Sequence, residues 1–337
     1  MCLDIRQYNA TPRKYTTVCT RCHHPLSTNK PQTTGVDLVE ITLAEHNQRL
    51  DNFLLKRLSG IPKTRVYRII RKGEVRVNKK RKKPEYKLQS GDQVRIPPVR
   101  IDAIENTRRT PSNRQIEQIE QAVLYENEHI LVLNKPSGLA VHGGSGVDFG
   151  LIDILRLSRP NSGIELVHRL DRDTSGCLLL AKHRPALIAM QAILQDKSLT
   201  KRYFAVVKGS WPHHVHEMAY PLKKIHLSNG ERRMLVDAQG KPALTRVQLL
   251  RGGDWFSTIQ LELITGRTHQ IRVHCQTEGH PIAGDDKYGD DDFNREMRRR
   301  GVRRLMLHAA SLEFPDSDYT QELVINAALP AEFDAYV

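Results

Sequence analysis

The chain has 337 residues, 39% hydrophobic and 27% charged, the composition of a globular protein long enough for two domains. No apolar run approaches the roughly 20 residues that cross a bilayer, and the first thirty residues lack the apolar centre of a secretory signal. This argues against membrane-spanning and secreted proteins and predicts a cytoplasmic one, while the formal net charge of +14 favours a polyanionic partner.

Residues 1–35 are rich in Thr, Pro, Asn and Lys without an apolar period and read as a disordered leader. Within them, Cys19-Thr20-Arg21-Cys22-His23-His24 has the spacing of half a zinc site or of a haem attachment. Neither is completed elsewhere in the sequence, so no metal is expected. The five cysteines form no disulfide framework.

Residues 36–97 read as a compact basic module. Leu50, Phe53, Leu54 and Leu58 keep helical spacing, ending near Gly60; Pro62 opens a second helix with Val66, Ile69 and Ile70 on one face and Gly73 as its stop. Short strands follow at 74–78 and 93–96. From Arg49 to Arg100 there are 17 Lys and Arg against 4 Asp and Glu, so nearly the whole net charge of the chain sits here. The basic residues lie along the second helix (Lys63, Arg65, Arg68, Arg71, Lys72) and on the hairpin Lys79, Lys80, Arg81, Lys82 and Lys83. Charge alone fits either a solvated face or a surface for phosphates, which give affinity without sequence information.

Residues 98–120 are polar and read as a linker, and 121–337 as a second domain. Residues 123–125 and 130–133 are strand-like. Lys135-Pro136-Ser137-Gly138 and Gly143-Gly144-Ser145-Gly146 lack the spacing of a nucleotide-binding loop and suit a flexible loop facing a substrate, with His142 as a candidate contact. His168-Arg169-Leu170-Asp171-Arg172-Asp173-Thr174-Ser175-Gly176 then packs two carboxylates and two guanidinium groups before the apolar run 177–181. Charges so close to a buried strand must pair, which fits a self-bridged loop and a functional site equally. A helix is expected over 185–195, strands over 203–207 and 258–264, and a helix over 268–276 that puts Arg267 at a turn and Arg272 one turn in. Trp211 to Glu217 reads as a loop, Arg298 to Arg304 as an exposed segment, and 305–310 as core. Short strands with interspersed helices make this an α+β protein.

Four ordered motifs carry a resemblance: the HRLDxxTSG pattern at 168–176, Asn134 to Gly138, Tyr203 to Gly209, and Thr265 to His274. From about Val36 onward the chain resembles the RluA family of RNA pseudouridine synthases. The resemblance implies a mixed, mainly antiparallel sheet in the catalytic domain and, in residues 36–97, an alpha-L RNA-binding module like that of small-subunit ribosomal proteins. It implies Asp171 as catalytic nucleophile or base, Arg272 as its basic partner, Tyr203 stacking on the flipped uracil and Arg169 displacing the target base. Lys135, His142, Arg267 and His269 are the further expected substrate contacts. Pseudouridine formation detaches uracil and rejoins it through carbon, so no atom enters or leaves and no cofactor is expected. The expected partner is ribosomal RNA of the large subunit (23S), met by a monomer away from membranes. A synthase acting on transfer RNA and a non-catalytic ribosomal RNA-binding protein remain the alternatives.

Overall fold

The computed structural model describes residues 35–43, 45–58, 61–99, 111–143, 149–160, 162–228 and 230–337. The expected leader with its Cys19 and Cys22 motif, residues 100–110 of the linker and the glycine run 144–146 lie outside the described residues. The described residues fall into two compact units, 35–99 and 111–337, each with its own core.

In the first unit, α1 (Leu50–Arg57) and α2 (Lys63–Lys72) pack on a three-stranded antiparallel sheet. Its strands are β1 (Asp37–Glu40), β2 (Arg76–Val77) and β3 (Gln93–Ile96), with β3 central. Val66, Ile69 and Ile70 of α2 are buried with Phe53, Leu54 and Val94. Gly73 ends α2 in the left-handed region at φ +72°, where a residue without a Cβ closes the helix at little cost. Pro62 sits one position before the helix, at its N-cap. Strand β1 was not legible, because none of its four residues is buried and no apolar face marks it.

The second unit begins with a correction. The stretch expected as linker ends in a helix, α3 (Asn113–Gln121), capped by Ser112 and Gln115, which bond each other's backbone N–H. Its apolar stripe is only Ile116 and Ile119, too thin to stand out in a polar sequence, yet Ile119 is buried in the core.

Ten strands then build one sheet, among the described residues: β4 (Val123–Glu126), β5 (Ile130–Lys135), β6 (Glu165–Leu166), β7 (Ser175–Ala181), β8 (Thr200–Lys208), β9 (Glu217–Met218), β12 (Thr245–Arg251), β13 (Phe256–Leu263), β14 (Leu307–Phe314) and β15 (Leu323–Asn326). A separate hairpin pairs β10 (Leu222–His226) with β11 (Arg232–Val236). Along the main path the order is β4-β5-β7-β14-β8-β13-β12-β9, and every pair is antiparallel except β7 with β14. The sheet is mixed and mainly antiparallel, as the resemblance implies.

The sheet is covered on both faces, which is why β7 reads as an unbroken apolar run. Cys177, Leu179 and Ala181 face α5 (Arg184–Gln195) through Ala186, Leu187 and Met190. Leu178 and Leu180 face the opposite core, built with α4 (Leu151–Ser158) and α6 (Gln270–Thr277). Arg298 and Arg299 lie in the last turn of α7 (Asp291–Arg299), stretching the expected exposed segment into a helix whose Phe293 and Met297 are buried. Gly176, at φ +106°, starts β7 with its backbone against the Ala309 carbonyl, so that any Cβ would collide there. This close approach sets the point at which the chain enters the sheet after the connection that carries Asp171.

Candidate active site

Asp171 stands in the connection from β6 to β7, held from below. Lys135, at the end of β5, has no exposed surface; its Nζ donates to the carbonyls of Pro136, Leu139 and Arg172 at 2.8, 2.9 and 2.8 Å. Ser137 Oγ donates to the Asp173 carbonyl at 2.6 Å, and Gly138 N–H to the Arg172 carbonyl at 2.9 Å. The Asn-Lys-Pro-Ser-Gly motif therefore clamps the backbone on either side of Arg172. Burial pushes the Lys135 ammonium down to about 7 against the pull of the Asp173 and Asp171 charges, and only the charged form offers one donor to each of the three carbonyls. Lys135 was expected to contact substrate; the structure instead makes it a strut, because its three donors are all consumed inside the protein.

His168 is likewise structural. Its Nε2 accepts the Leu179 N–H at 3.1 Å, and burial pushes its pKa down to about 4, so the ring is neutral. Leu170 is buried beside it, while Arg169 is exposed and its guanidinium makes no bond to another described residue. Asp171 itself keeps 20% of its side chain exposed.

Arg272, buried on α6, faces Asp171 with its Nη1 3.4 Å from Oδ2. Its principal partner was not foreseen. Nε and Nη2 both donate to the carboxylate of Asp285 at 2.8 Å, a bidentate pair in which both side chains are buried. Burial disfavours the Asp285 charge, but the Arg272 bonds and the N–H groups of Lys287 and Tyr288 outweigh it, and the carboxyl stays below its ordinary range. For Arg272 burial likewise opposes the charge, and Asp285 first, then Asp171, raise its pKa regardless.

Tyr203, on β8, is buried; burial first and the Asp171 charge second raise the pKa of its hydroxyl. It shares one face of β8 with Lys201, and both line a cleft of about 510 Å³ with Asp171, His168, Arg169 and Arg267. Among the described residues Asp171 is the only carboxylate on that lining. On its other side Asp171 borders a wider cleft of about 1000 Å³, whose walls include Arg172, Arg233, Lys287, Arg298, Arg303 and Arg304. Asp171 thus stands between the smaller cleft, with its cations, and a wider cleft where the cations outnumber but mix with Asp173, Glu231, Asp285, Asp286 and Glu332.

Comparison with known proteins decides the family. Residues 129–277 match the family described as RNA pseudouridylate synthase, and residues 48–94 match the S4 domain. The chain is 52% identical over 288 residues to ribosomal large subunit pseudouridine synthase C of Escherichia coli (strain K12), covering 85% of this chain and 90% of that protein. It is 48% identical over 302 residues to the protein of the same name from Haemophilus influenzae, covering 89% and 94%. Among solved structures, human RNA pseudouridylate synthase domain containing 1 superposes with a TM-score of 0.52 at 28% identity, covering 67% of this chain and 87% of that one. The chain belongs to the RluA family of RNA pseudouridine synthases.

The remaining expected site residues of this synthase divide. Arg267 is exposed at the turn before α6 and lines the smaller cleft, its Nε donating to the Pro242 carbonyl at 3.1 Å. His269 is the N-cap of α6, with Nε2 3.8 Å from Asp171 Oδ1. His142 does not join them: it is exposed ahead of α4 and lines neither cleft, because close packing of its backbone on Gly150 holds that segment elsewhere. In the S4 unit, Lys63, Arg68, Arg71, Lys72, Lys79, Lys80, Arg81 and Lys83 are exposed, with Arg65 and Lys82 half-buried. Lys82 lies over the Tyr86 ring at 4.3 Å.

Sequence reasoning missed Asp285, Tyr288 and Arg304. Asp285 and Tyr288 come from the stretch Gly284-Asp285-Asp286-Lys287-Tyr288-Gly289, which has no apolar period, and only two glycines near an aspartate hinted at a built turn. Arg304 donates to Ser175 Oγ at 2.5 Å, a contact 129 residues apart in the chain.

Proposed function

We propose that this synthase converts uridine to pseudouridine in large-subunit (23S) ribosomal RNA, with Asp171 as the reacting carboxylate. The observation that carries the site assignment is the placement of Asp171 alone among cations on the smaller cleft, paired with Arg272 and next to Tyr203. In the reaction the bond from ribose C1′ to uracil N1 breaks, a C1′–C5 bond forms, C5 loses a proton and N1 gains one. The balance closes without an oxidant or a second substrate, so a single ionised carboxylate suffices as nucleophile or base.

Arg272 keeps that carboxylate company without consuming it, because Asp285 takes the stronger, bidentate end of the guanidinium. Tyr203 offers a ring for the extruded uracil, and Arg169, exposed and unengaged at the cleft mouth, is suited to fill the space the base leaves. Ribosomal RNA as substrate rests on the names of the relatives and on the basic S4 unit. This reading includes action in the cytoplasm, as a monomer, with residues 36–97 as the RNA anchor and the catalytic domain beyond it. No helix among the described residues is long and apolar enough to cross a membrane.

The test is Asp171→Asn, which keeps the shape and removes the charge. Turnover on a large-subunit RNA fragment should vanish while RNA affinity stays within a few-fold. Pseudouridine formed by the pure variant would overturn the assignment. Mapping pseudouridines in large-subunit RNA from cells lacking the protein identifies the target sites, and an unchanged map there with losses in transfer RNA would overturn the ribosomal reading.

A further inference from the structure

The connection from Asp171 to the rest of the molecule does not end at Arg272. His269 occupies the left-handed region at φ +53°, a strained backbone for a residue that carries a Cβ, and this turns its ring toward the cleft at the start of α6. Its Nδ1 lies 2.8 Å from the hydroxyl of Tyr288, and its Nε2 lies 3.8 Å from Asp171 Oδ1. Tyr288 is buried among Leu222, Ala243, Val273 and Met234, so it joins α6 to the β10–β11 hairpin. The backbone N–H of Met234, on β11, donates to the Tyr288 hydroxyl oxygen at 3.0 Å.

Proton counting assigns the tautomer. The Tyr288 hydroxyl has one proton to give, and Met234 N–H, being a donor, cannot take it. Among the described residues His269 Nδ1 is the acceptor within reach, so Nδ1 is unprotonated and the neutral ring carries its proton on Nε2, the nitrogen facing Asp171. The 3.8 Å separation exceeds a hydrogen bond and is the kind of distance that tightens when substrate fills a site. A cation at His269 would compete with Arg272 for Asp171; the groups facing the ring are Asp171, Asp285, Arg272, Lys287 and Tyr288. Burial first, then Arg272 and Lys287, lower its pKa against the opposing pull of Asp171 and Asp285.

We propose that His269 is a positioning residue for Asp171, held as the Nε2-protonated tautomer by Tyr288 and thereby tied to the backbone of the β10–β11 hairpin at Met234. The proposal rests on the reading of Asp171 as the reacting carboxylate. Two oxygens of that carboxylate then have separate partners: Oδ2 faces Arg272 and Oδ1 faces the His269 N–H. Rotation of the carboxylate would break both, so its orientation is set by α6 and by the hairpin together.

The first test reads the tautomer in the full-length protein without any activity assay. In protein labelled with ¹⁵N-histidine, the resonances lost in His269→Gln identify the ring among the 15 histidines. At pH 7 they should show a protonated Nε2 and a bare Nδ1. A proton on Nδ1, alone or as imidazolium, overturns the proposal. In Tyr288→Phe the neutral ring loses the bond that favours it, so its titration should move up; an unmoved titration counts equally against the relay.

The second test is kinetic. His269→Leu should lower kcat by about a hundredfold, the scale of a misplacement near 1 Å, with KM for RNA within about threefold. His269→Gln, which retains an N–H near Asp171, should recover most of that loss, and Tyr288→Phe should fall between. Thermal unfolding of each variant near that of wild type shows that the loss is local. Wild-type kcat in both His269→Leu and Tyr288→Phe overturns the positioning role. An active Asp171→Asn protein would instead sink the reading on which the proposal rests, whatever the tautomer.

Discussion

Arg272 spans two carboxylates unequally: it grips Asp285 with two hydrogen bonds of 2.8 Å and reaches Asp171 with one at 3.4 Å. On the proposed reading of Asp171 as the reacting carboxylate, the asymmetry has a chemical use. A carboxylate locked in a bidentate pair would be a poor nucleophile, whereas one at the free corner of an already anchored guanidinium keeps its lone pairs and still feels the charge.

That arrangement predicts the behaviour of Asp285→Asn. Removing one partner of a buried pair leaves an uncompensated charge, costing roughly 3–5 kcal/mol, and frees Arg272 to close on Asp171. Denaturant unfolding should show the loss, and at temperatures where the variant is folded its kcat should fall at least tenfold with little change in RNA affinity. Wild-type turnover in a folded Asp285→Asn protein would show that the anchor is dispensable. Arg272→Met should lose turnover more completely, because the counter-charge itself goes.

Lys135→Met separates a strut from a substrate contact. It strands three buried carbonyls, each worth about 1–3 kcal/mol when left without a donor, so the variant should unfold at markedly lower denaturant while RNA affinity of the folded fraction holds. A variant of normal stability that binds RNA poorly would restore the substrate role.

Two neutral histidines set an acid limit on the fold. His308 is fully buried between Ser175 Oγ and the Ala327 carbonyl, and burial pushes both His308 and the partly exposed His168 from 6.5 to about 4. Between those values the unfolded chain binds protons that the folded protein refuses. Their contribution is fully present above pH 6.5 and lost as pH falls toward 4, by at most about 3.5 kcal/mol for His308 and less for His168, at about 1.4 kcal/mol per pKa unit. Unfolding free energies measured from pH 7 to 4 should fall, and His308→Gln should flatten the slope; an unchanged slope removes His308 from the account.

For the S4 unit, neutralising Lys79, Lys80, Arg81, Lys82 and Lys83 together should weaken RNA binding and flatten the dependence of log affinity on log salt by several units, at about 0.9 per duplex phosphate contact. The pseudouridines formed in short model hairpins should be unchanged in kind. Equal salt slopes for wild type and variant would make the basic stretch a solvated face.

Much of this molecule was legible residue by residue. The helices at 50–57, 63–72 and 184–195 follow from apolar spacing and glycine or proline punctuation, and β5, β7 and β13 from β-period runs, because those signals arise from each segment's own need to bury one face. The four motifs were expected to meet at one site, and Asp171, Tyr203, Arg267, His269 and Arg272 do converge on one cleft. What the motifs could not say is which of their charges would face the cleft. Lys135 stands inside the same motifs and turns inward, since whether a donor meets carbonyls or solvent depends on strands packed from elsewhere.

The sequence by itself determined the two-unit plan, the concentration of basic charge in the first unit and the motif residues that meet at the cleft, through local periodicity, composition and motif order. Only the tertiary structure decided the electrostatics of Asp171. Its counter-ion is held by Asp285 and its neighbour His269 by Tyr288, 13 and 19 residues further along respectively, in a segment with no pattern of its own. A buried charge takes whatever partner the fold brings within about 3 Å, and no rule of spacing along the chain encodes that distance.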